Sequence, residues 1–254
     1  MESIEHPGNF SDDIKTKSLE FFKENYEITK DNFVEFLNES FILGKLDIFD
    51  FITKFVENQL GKDEITVFYD IFISKVITST NCELEDLKFL NYFFKKKNFK
   101  INNYTGYLSS NNYLCECIVL AKPLMLKELI KSKADVNYRD FYENNALKLL
   151  LKHQYSGCYD ILIKNKININ NQNIMGKTCL HYAIEGNNTN MVIKLINSKS
   201  KIDIRDNELK KTALDLVLEN NFSIKKEIID LILSINKQKR KRKFNETKSD
   251  LCIF

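Results

Sequence analysis

Few residues of this chain combine the type and spacing that chemistry requires. The histidines His6, His153 and His181 fall in unrelated places. Catalysis needs a nucleophile, a base and an orienting group within mutual hydrogen-bond reach, and no such grouping is legible. Cys115-x-Cys117 puts two thiols on a predicted helix, but no second Cys or His pair stands at zinc spacing. These read as core thiols. Gly176-Lys177-Thr178 has the closing residues of a phosphate-binding loop, yet no glycine stands five residues before it and no strand leads in. Cys252 is third from the last residue, whereas a prenylation box needs it fourth. No catalytic residue, metal or cofactor is expected. The run Lys239-Arg240-Lys241-Arg242-Lys243 is different, because five adjacent cations repel and stay solvated. It resembles a nuclear-import signal, with a solubilising tail as the plain alternative. Only Phe244 stands behind it for stacking on bases, which disfavours nucleic acid as a partner.

The elements that carry these residues repeat. Asn112-Tyr113-Leu114, Asn145-Ala146-Leu147 and Thr178-Cys179-Leu180 recur at 33-residue intervals, and Thr212-Ala213-Leu214 follows after 34. Asp135-Val136-Asn137, Asn168-Ile169-Asn170 and Lys201-Ile202-Asp203 keep the same beat, each leading to a polar residue at Asp140, Asn173 or Asp206. So do Leu129-Ile130, Leu162-Ile163 and Leu195-Ile196. Three landmarks in one register define a repeat protein. The period, with Gly176-Lys177-Thr178-Cys179-Leu180-His181-Tyr182-Ala183, resembles the ankyrin repeat, whose pattern here is Thr-Pro-Leu-His-x-Ala. Cys179 replaces the Pro, and the copies on either side carry Lys148 or Asp215 where this one has His181. Gly176 suits a turn leaving a finger-like hairpin. Thr178 suits a helix start, where its hydroxyl can accept an orphan N–H. Leu180 and Ala183 should face the neighbouring repeat, and His181 should bond locally as a structural residue.

The expected fold is all-α: an ankyrin-repeat solenoid of helix-turn-helix pairs with short β-hairpin fingers and an N-terminal helical extension. Residues 1–30 read as an N-terminal segment, disordered to about Asp13 and then forming one helix from Ile14 to Tyr26. Residues 31–102 read as two diverged ankyrin-like helical pairs. Their helices are expected over Phe33–Leu43, from Ile48 to Phe55, over Ile65–Ile77 and over Leu84–Lys96. Gly44-Lys45-Leu46-Asp47 resembles the turn between the two helices of a repeat. Residues 103–235 read as four clearer repeats, with Pro123 opening a second helix and Ile228–Leu233 forming the last one. Residues 236–254 read as a flexible basic tail.

Composition narrows the setting. Charge is nearly balanced at +3, so it does not by itself call for nucleic acid. The six cysteines lack framework spacing and no signal peptide precedes them, which points to reduced thiols. The apolar windows are broken by charges, so no membrane span is expected. Abundant Lys, Asn and Ile suggest an AT-rich genome. The degenerate repeats resemble the ankyrin proteins of poxviruses and related large DNA viruses. That resemblance implies a monomeric host-interaction or host-range factor in the host cytoplasm, and in the nucleus if the basic run acts. The implied mechanism is IκB-like masking of a signalling or transcription factor such as NF-κB. A substrate adaptor for a host cullin ubiquitin ligase is the alternative, and a nucleic-acid factor acting through the tail ranks third.

In the ankyrin family the partner usually lies on the concave side. Carried onto this chain, the finger tips are Tyr138, Arg139, Phe141 and Tyr142; Asn171, Gln172 and Ile174; and Arg205, Asn207 and Leu209. The matching helix positions are Glu116, Leu149, Tyr182 and Leu216. The aromatic and Arg cluster at 138–142 with Tyr182 has the make-up of a binding hot spot. Leu149 and Leu216 could instead pack against their own hairpins.

Overall fold

The computed structural model describes residues 10–29, 31–79, 83–96, 101–102, 112–153, 156–219, 226, 228–231 and 233–234. Two compact units are present, Met1–Ala134 and Asp135–Phe254. The first holds α1 (Phe10–Thr16), α2 (Leu19–Asn25), α3 (Phe33–Ile42), α4 (Leu46–Gln59), α5 (Lys62–Thr78), α6 (Glu83–Phe94), α7 (Tyr113–Val119) and α8 (Pro123–Lys131). The second holds α9 (Ala146–His153), α10 (Ser156–Lys164), α11 (Cys179–Glu185), α12 (Thr189–Asn197) and α13 (Ala213–Glu219). Residues 228–231 are also helical, with Ile228 fully buried.

The single helix expected over Ile14–Tyr26 is two helices. Ser18 takes an extended backbone and its hydroxyl accepts the Phe21 N–H at 3.3 Å, so it caps α2 and ends the run. Helical structure also starts earlier than expected, at Phe10. Phe10 stacks on Phe36 at 3.9 Å, Ile14 is buried, and the Tyr26 hydroxyl donates to Asp13 at 2.7 Å. Burial, with Asp13 beside it, pushes the Tyr26 phenol up to about 12.

Three helical pairs share one turn. Between α3 and α4, Gly44 has φ +68°; its N–H donates to the Phe41 carbonyl at 3.0 Å, and the Lys45 N–H to Ser40 at 2.9 Å. Ala121 (φ +54°) and Lys122 repeat this between α7 and α8, bonding Ile118 and Cys117 at 3.2 and 2.8 Å. Asn187 (φ +51°) and Asn188 do so between α11 and α12, bonding Ile184 and Ala183 at 3.0 and 2.9 Å. The turn expected at residues 44–47 thus has the geometry of its counterparts. Pro123 opens α8, where its missing N–H has no helical partner to lose.

The core of the first unit is aromatic. Phe49 on α4 meets Phe72 of α5 and Phe89, Tyr92 and Phe93 of α6, with ring centroids 5.1–5.9 Å apart. Polar ties cross the same layers. The Tyr113 hydroxyl at the start of α7 donates to Asp70 of α5, and Lys122 reaches the Ser79 carbonyl at 2.5 Å and buried Asp86 at 3.7 Å. In the second unit the repeating apolar positions fill the core. Leu162 and Leu195 are fully buried, as are Ala183 and, nearly so, Leu180; Leu129 is the fully buried counterpart in the first unit. The Tyr159 hydroxyl on α10 reaches the Lys194 carbonyl of α12 at 3.0 Å and Ser198 Oγ at 2.9 Å, tying successive outer helices together.

Candidate functional site

Three fingers of the second unit precede its inner helices, over residues 138–144, 171–177 and 204–211. Each closes on one backbone bond: Asp140 N–H to Asn144 O at 3.0 Å, Asn173 N–H to Lys177 O at 3.1 Å, and Asp206 N–H to Lys211 O at 3.0 Å. The third loop is one residue longer, which accounts for the 34-residue interval. The expected β-hairpins are too short to form strands. Among the described residues the fingers contribute only an isolated antiparallel bridge between Arg205 and Thr212.

The polar landmark residues organise the tips. Asp140 Oδ1 accepts the N–H groups of Tyr142 and Asn144, both at 2.8 Å. Asn173 Oδ1 accepts those of Met175 and Lys177 at 3.1 and 3.0 Å, and Asp206 Oδ1 that of Leu209 at 2.7 Å. These are Asx turns, in which a side chain replaces the next backbone acceptor. Glu143, Gly176 and Lys210 then take positive φ, at +58°, +70° and +54°.

Adjacent fingers are stitched with the repeat period. Ile174 N–H donates to Tyr142 O at 3.1 Å, and Asn207 N–H to Met175 O at 2.9 Å. Asn137 Oδ1 accepts Asn168 N–H at 2.6 Å, and Asn170 Oδ1 accepts Lys201 N–H at 2.7 Å. Gln172 Nε2 donates to Gly176 O and Arg205 O at 2.8 and 3.2 Å.

On this polar frame sits an exposed apolar ridge. Phe141 is 91% exposed, Tyr142 58%, Ile174 55%, Met175 43% and Leu209 61%. Five large apolar side chains in one region of a small surface are more than scattered hydrophobic exposure. The surrounding charges largely cancel. Arg139 pairs with Glu143 at 3.4 Å, Lys177 with Glu185 at 2.7 Å, Arg205 with Asp215 at 3.7 Å and Lys211 with Glu219 at 2.5 Å.

Behind the ridge the expected positions divide. Tyr182 is half-buried; its hydroxyl accepts from Asn173 Nδ2 at 2.8 Å, and Lys148 Nζ lies 2.8 Å from its ring centroid. Tyr138 and Leu149 are half-buried, and Arg139, Gln172 and Arg205 are exposed. Leu216 and Asn171 were expected at the surface and are buried instead. Leu216 follows the core side of the seven-residue α13, and Asn171 turns inward to give its Nδ2 to Glu143 O at 2.7 Å. Glu116 belongs to the first unit. The basic run Lys239, Arg240, Lys241, Arg242 and Lys243 lies outside the described residues. Met175 and Lys148 were not among the expected site residues. Met175 stands 33 residues after Tyr142, so the repeat register alone could have found it.

The former chemical candidates have structural roles here. His181 Nδ1 lies 3.1 Å from the Thr178 N–H and 2.8 Å from its Oγ1. A backbone N–H can only donate, so Nδ1 is unprotonated and Nε2 carries the proton, 3.3 Å from the Lys211 carbonyl. Burial pushes this imidazole below its ordinary 6.5, while the Lys211 carbonyl, Asp206 and Glu185 pull the other way. Asp215 does the same capping in the next copy, its carboxylate accepting the Thr212 N–H at 2.9 Å. Cys115, Cys117, Cys158 and Cys179 are buried, and burial pushes the Cys179 thiol up to about 12. A groove of about 860 Å³ opens beside Tyr182, walled by Leu151, Asn188, Met191 and Lys194 among others, with no acid–base pair among the described residues of its lining.

Paired helices linked by a shared turn, with hydrogen-bonded fingers in series, define a repeat scaffold for macromolecular contact. A family model described as ankyrin repeats, in three copies, matches residues 114–208 and 157–243, and the chain belongs to that family. The family's repeats mediate protein–protein interaction. The chain is also similar to an ankyrin repeat protein of Acanthamoeba polyphaga mimivirus, with 28% identity over 203 residues, 76% of this chain and 25% of the relative. It therefore spans only a quarter of that viral protein. Among the described residues no helix is long and apolar enough to cross a membrane.

Proposed function

We propose that this chain is a non-catalytic protein-binding scaffold whose contact surface is the finger ridge of the second unit. The observation that carries this reading is the apolar row Phe141, Tyr142, Ile174, Met175 and Leu209, held on fingers whose backbone groups are already bonded to one another. A stiff frame loses little conformational freedom when its side chains are covered, so the apolar tips can act as anchors. Arg139, Gln172, Arg205 and Tyr182 flank them as a polar border, and half-buried Leu149 on α9 belongs to the same proposed surface. On the viral side, similarity to a mimivirus ankyrin protein supports a host protein as the partner and host interaction as the role. Masking of a signalling or transcription factor is the mechanism that this role suggests. The shared turn between α3 and α4 supports extending the repeats into residues 31–102.

The test is affinity purification of tagged full-length protein from cultured eukaryotic cells, with a Phe141→Ala/Tyr142→Ala/Ile174→Ala variant in parallel. The reading expects proteins that are recovered with the wild type and lost with the variant at equal helix content. An unchanged set of partners would remove the ridge from consideration.

A further inference from the structure

Lys148 is a half-buried cation of this surface without an ion-pair partner among the described residues. It occupies the repeat position where His181 and Asp215 accept the cap hydrogen bonds of their own helices. An ammonium has three donors and no acceptor, so it cannot do that work. In this copy the capping side chain is Asn145 at the helix start, whose Oδ1 accepts the Leu147 N–H at 3.2 Å. Lys148 is left to extend over the Tyr182 ring, beside a shallow recess of about 10 Å³ lined by Asn144, Asn145, Asn171, Asn173 and Lys177. That recess is too small to enclose an anion, so a ligand group would meet the ammonium from outside it.

The neighbours hold this ammonium without neutralising it. Among the described residues no carboxylate lies within ion-pair distance of Lys148, whereas Arg139, Lys177, Arg205 and Lys211 each have one. A ring face attracts a cation but carries no counter-charge. The recess amides are committed elsewhere: Asn145 Nδ2 to Asn168 O at 2.8 Å, Asn171 Nδ2 to Glu143 O at 2.7 Å, and Asn173 Nδ2 to Tyr182 Oη at 2.8 Å. Lys148 therefore keeps the spare donors. Its helix, α9, carries Lys148 and Lys152 and no acidic residue.

We propose that the ridge receives a peptide segment of a partner protein that places one acidic side chain among large apolar ones, with the carboxylate seated on Lys148. This rests on the ridge being the contact surface, and it adds the chemistry of what binds there. The apolar side chains lie on Phe141, Tyr142, Ile174 and Met175. The carboxylate completes a charge-assisted bond at the ammonium beside them. A phosphate dianion suits the recess less well, since the second cation, Lys177, already has Glu185 at 2.7 Å, and that carboxylate would repel it. A basic segment meets an unneutralised cation and is rejected.

A random peptide library displayed on phage, panned against the full-length protein, reads this directly. Enriched sequences should combine Asp or Glu with Leu, Ile, Phe or Met. A synthetic peptide of the enriched sequence should lose at least about tenfold in affinity when its acid is replaced by Lys, or when Lys148→Glu is introduced. Lys148→Gln should lose less, and Lys164→Glu on the exposed side of α10 should change nothing. Thermal midpoints are measured for all variants; Lys148→Gln carries the test if Lys148→Glu unfolds. Enriched peptides without acids, bound through Phe141 but indifferent to Lys148, would overturn the carboxylate seat and leave the ridge standing. Peptides indifferent to both Phe141→Ala and Lys148→Gln would overturn both readings. Failure to enrich any sequence would count against a linear segment as the occupant.

Discussion

Gly176 and Gly44 have nearly the same backbone, with φ at +70° and +68°, but different surroundings. A Cβ on Gly44 would meet nothing within 4 Å, whereas on Gly176 it would stand 2.7 Å from the backbone nitrogen of Asn207. Gly44→Ala should therefore cost only the left-handed penalty of about 1 kcal/mol. Gly176→Ala should cost clearly more, because a neighbouring finger bonded through that same nitrogen has to move. Urea denaturation of the two variants decides it, and equal losses would contradict the contact. His181 yields a second residue-scale prediction. The folded protein holds its imidazole below the ordinary 6.5, so the unfolded chain takes up the proton first as pH falls. Its contribution is complete above about 6.5 and declines below that value, since protonated Nδ1 would face the Thr178 N–H. Stability measured between pH 7.5 and 5 should fall in the wild type. In His181→Gln it should start lower and fall less, and parallel curves would show that another group titrates. The residue scale is also where sequence reading reached furthest: Gly176, His181 and the buried Leu180 and Ala183 all follow from the repeat pattern.

At the scale of elements, the fingers depend on side chains more than on strand pairing. Asn173 accepts two N–H groups of its own finger and donates to both Tyr182 Oη and Asn144 Oδ1. Asn170 accepts one N–H from the next repeat, at an exposed site. With about 1 kcal/mol for each bond and more where a buried partner is orphaned, Asn173→Ala should cost roughly 2–3 kcal/mol and Asn170→Ala about 1 or less. Hydrogen exchange should show the Met175 and Lys177 amides losing protection in Asn173→Ala alone. Protection retained there would mean that the backbone closes the finger unaided. Sequence spacing marked Asp140, Asn173 and Asp206 as polar landmarks and placed the turn at Gly44. It did not reveal that Ser18 divides the first helix, because the apolar residues on either side continue the helical pattern. Nor could it show that Leu216 is buried. In a seven-residue helix the inward and outward faces are adjacent, and a leucine on either satisfies the same periodicity.

At the scale of the molecule, the phenylalanines divide the work of stability and recognition. Phe49 is fully buried amid four other rings, while Phe141 is 91% exposed on a finger tip. The residue type is the same, and position separates them: the repeat register already put Phe141 on a finger tip. Removing the Phe49 ring leaves a cavity that its neighbours cannot fill without leaving their own contacts. Phe49→Ala should therefore lose about 3–5 kcal/mol of stability. Phe141→Ala removes a side chain that the folded chain scarcely touches, so its effect on stability should stay within about 0.5 kcal/mol. Affinity for a ridge-selected peptide should invert the order, falling sharply for Phe141→Ala and holding for Phe49→Ala at temperatures where that variant remains folded. Circular dichroism on urea titration and fluorescence anisotropy with the peptide give the two axes. A Phe141→Ala protein that keeps its affinity, or loses stability like Phe49→Ala, would place that ring inside the structure's own packing and not at its contact surface.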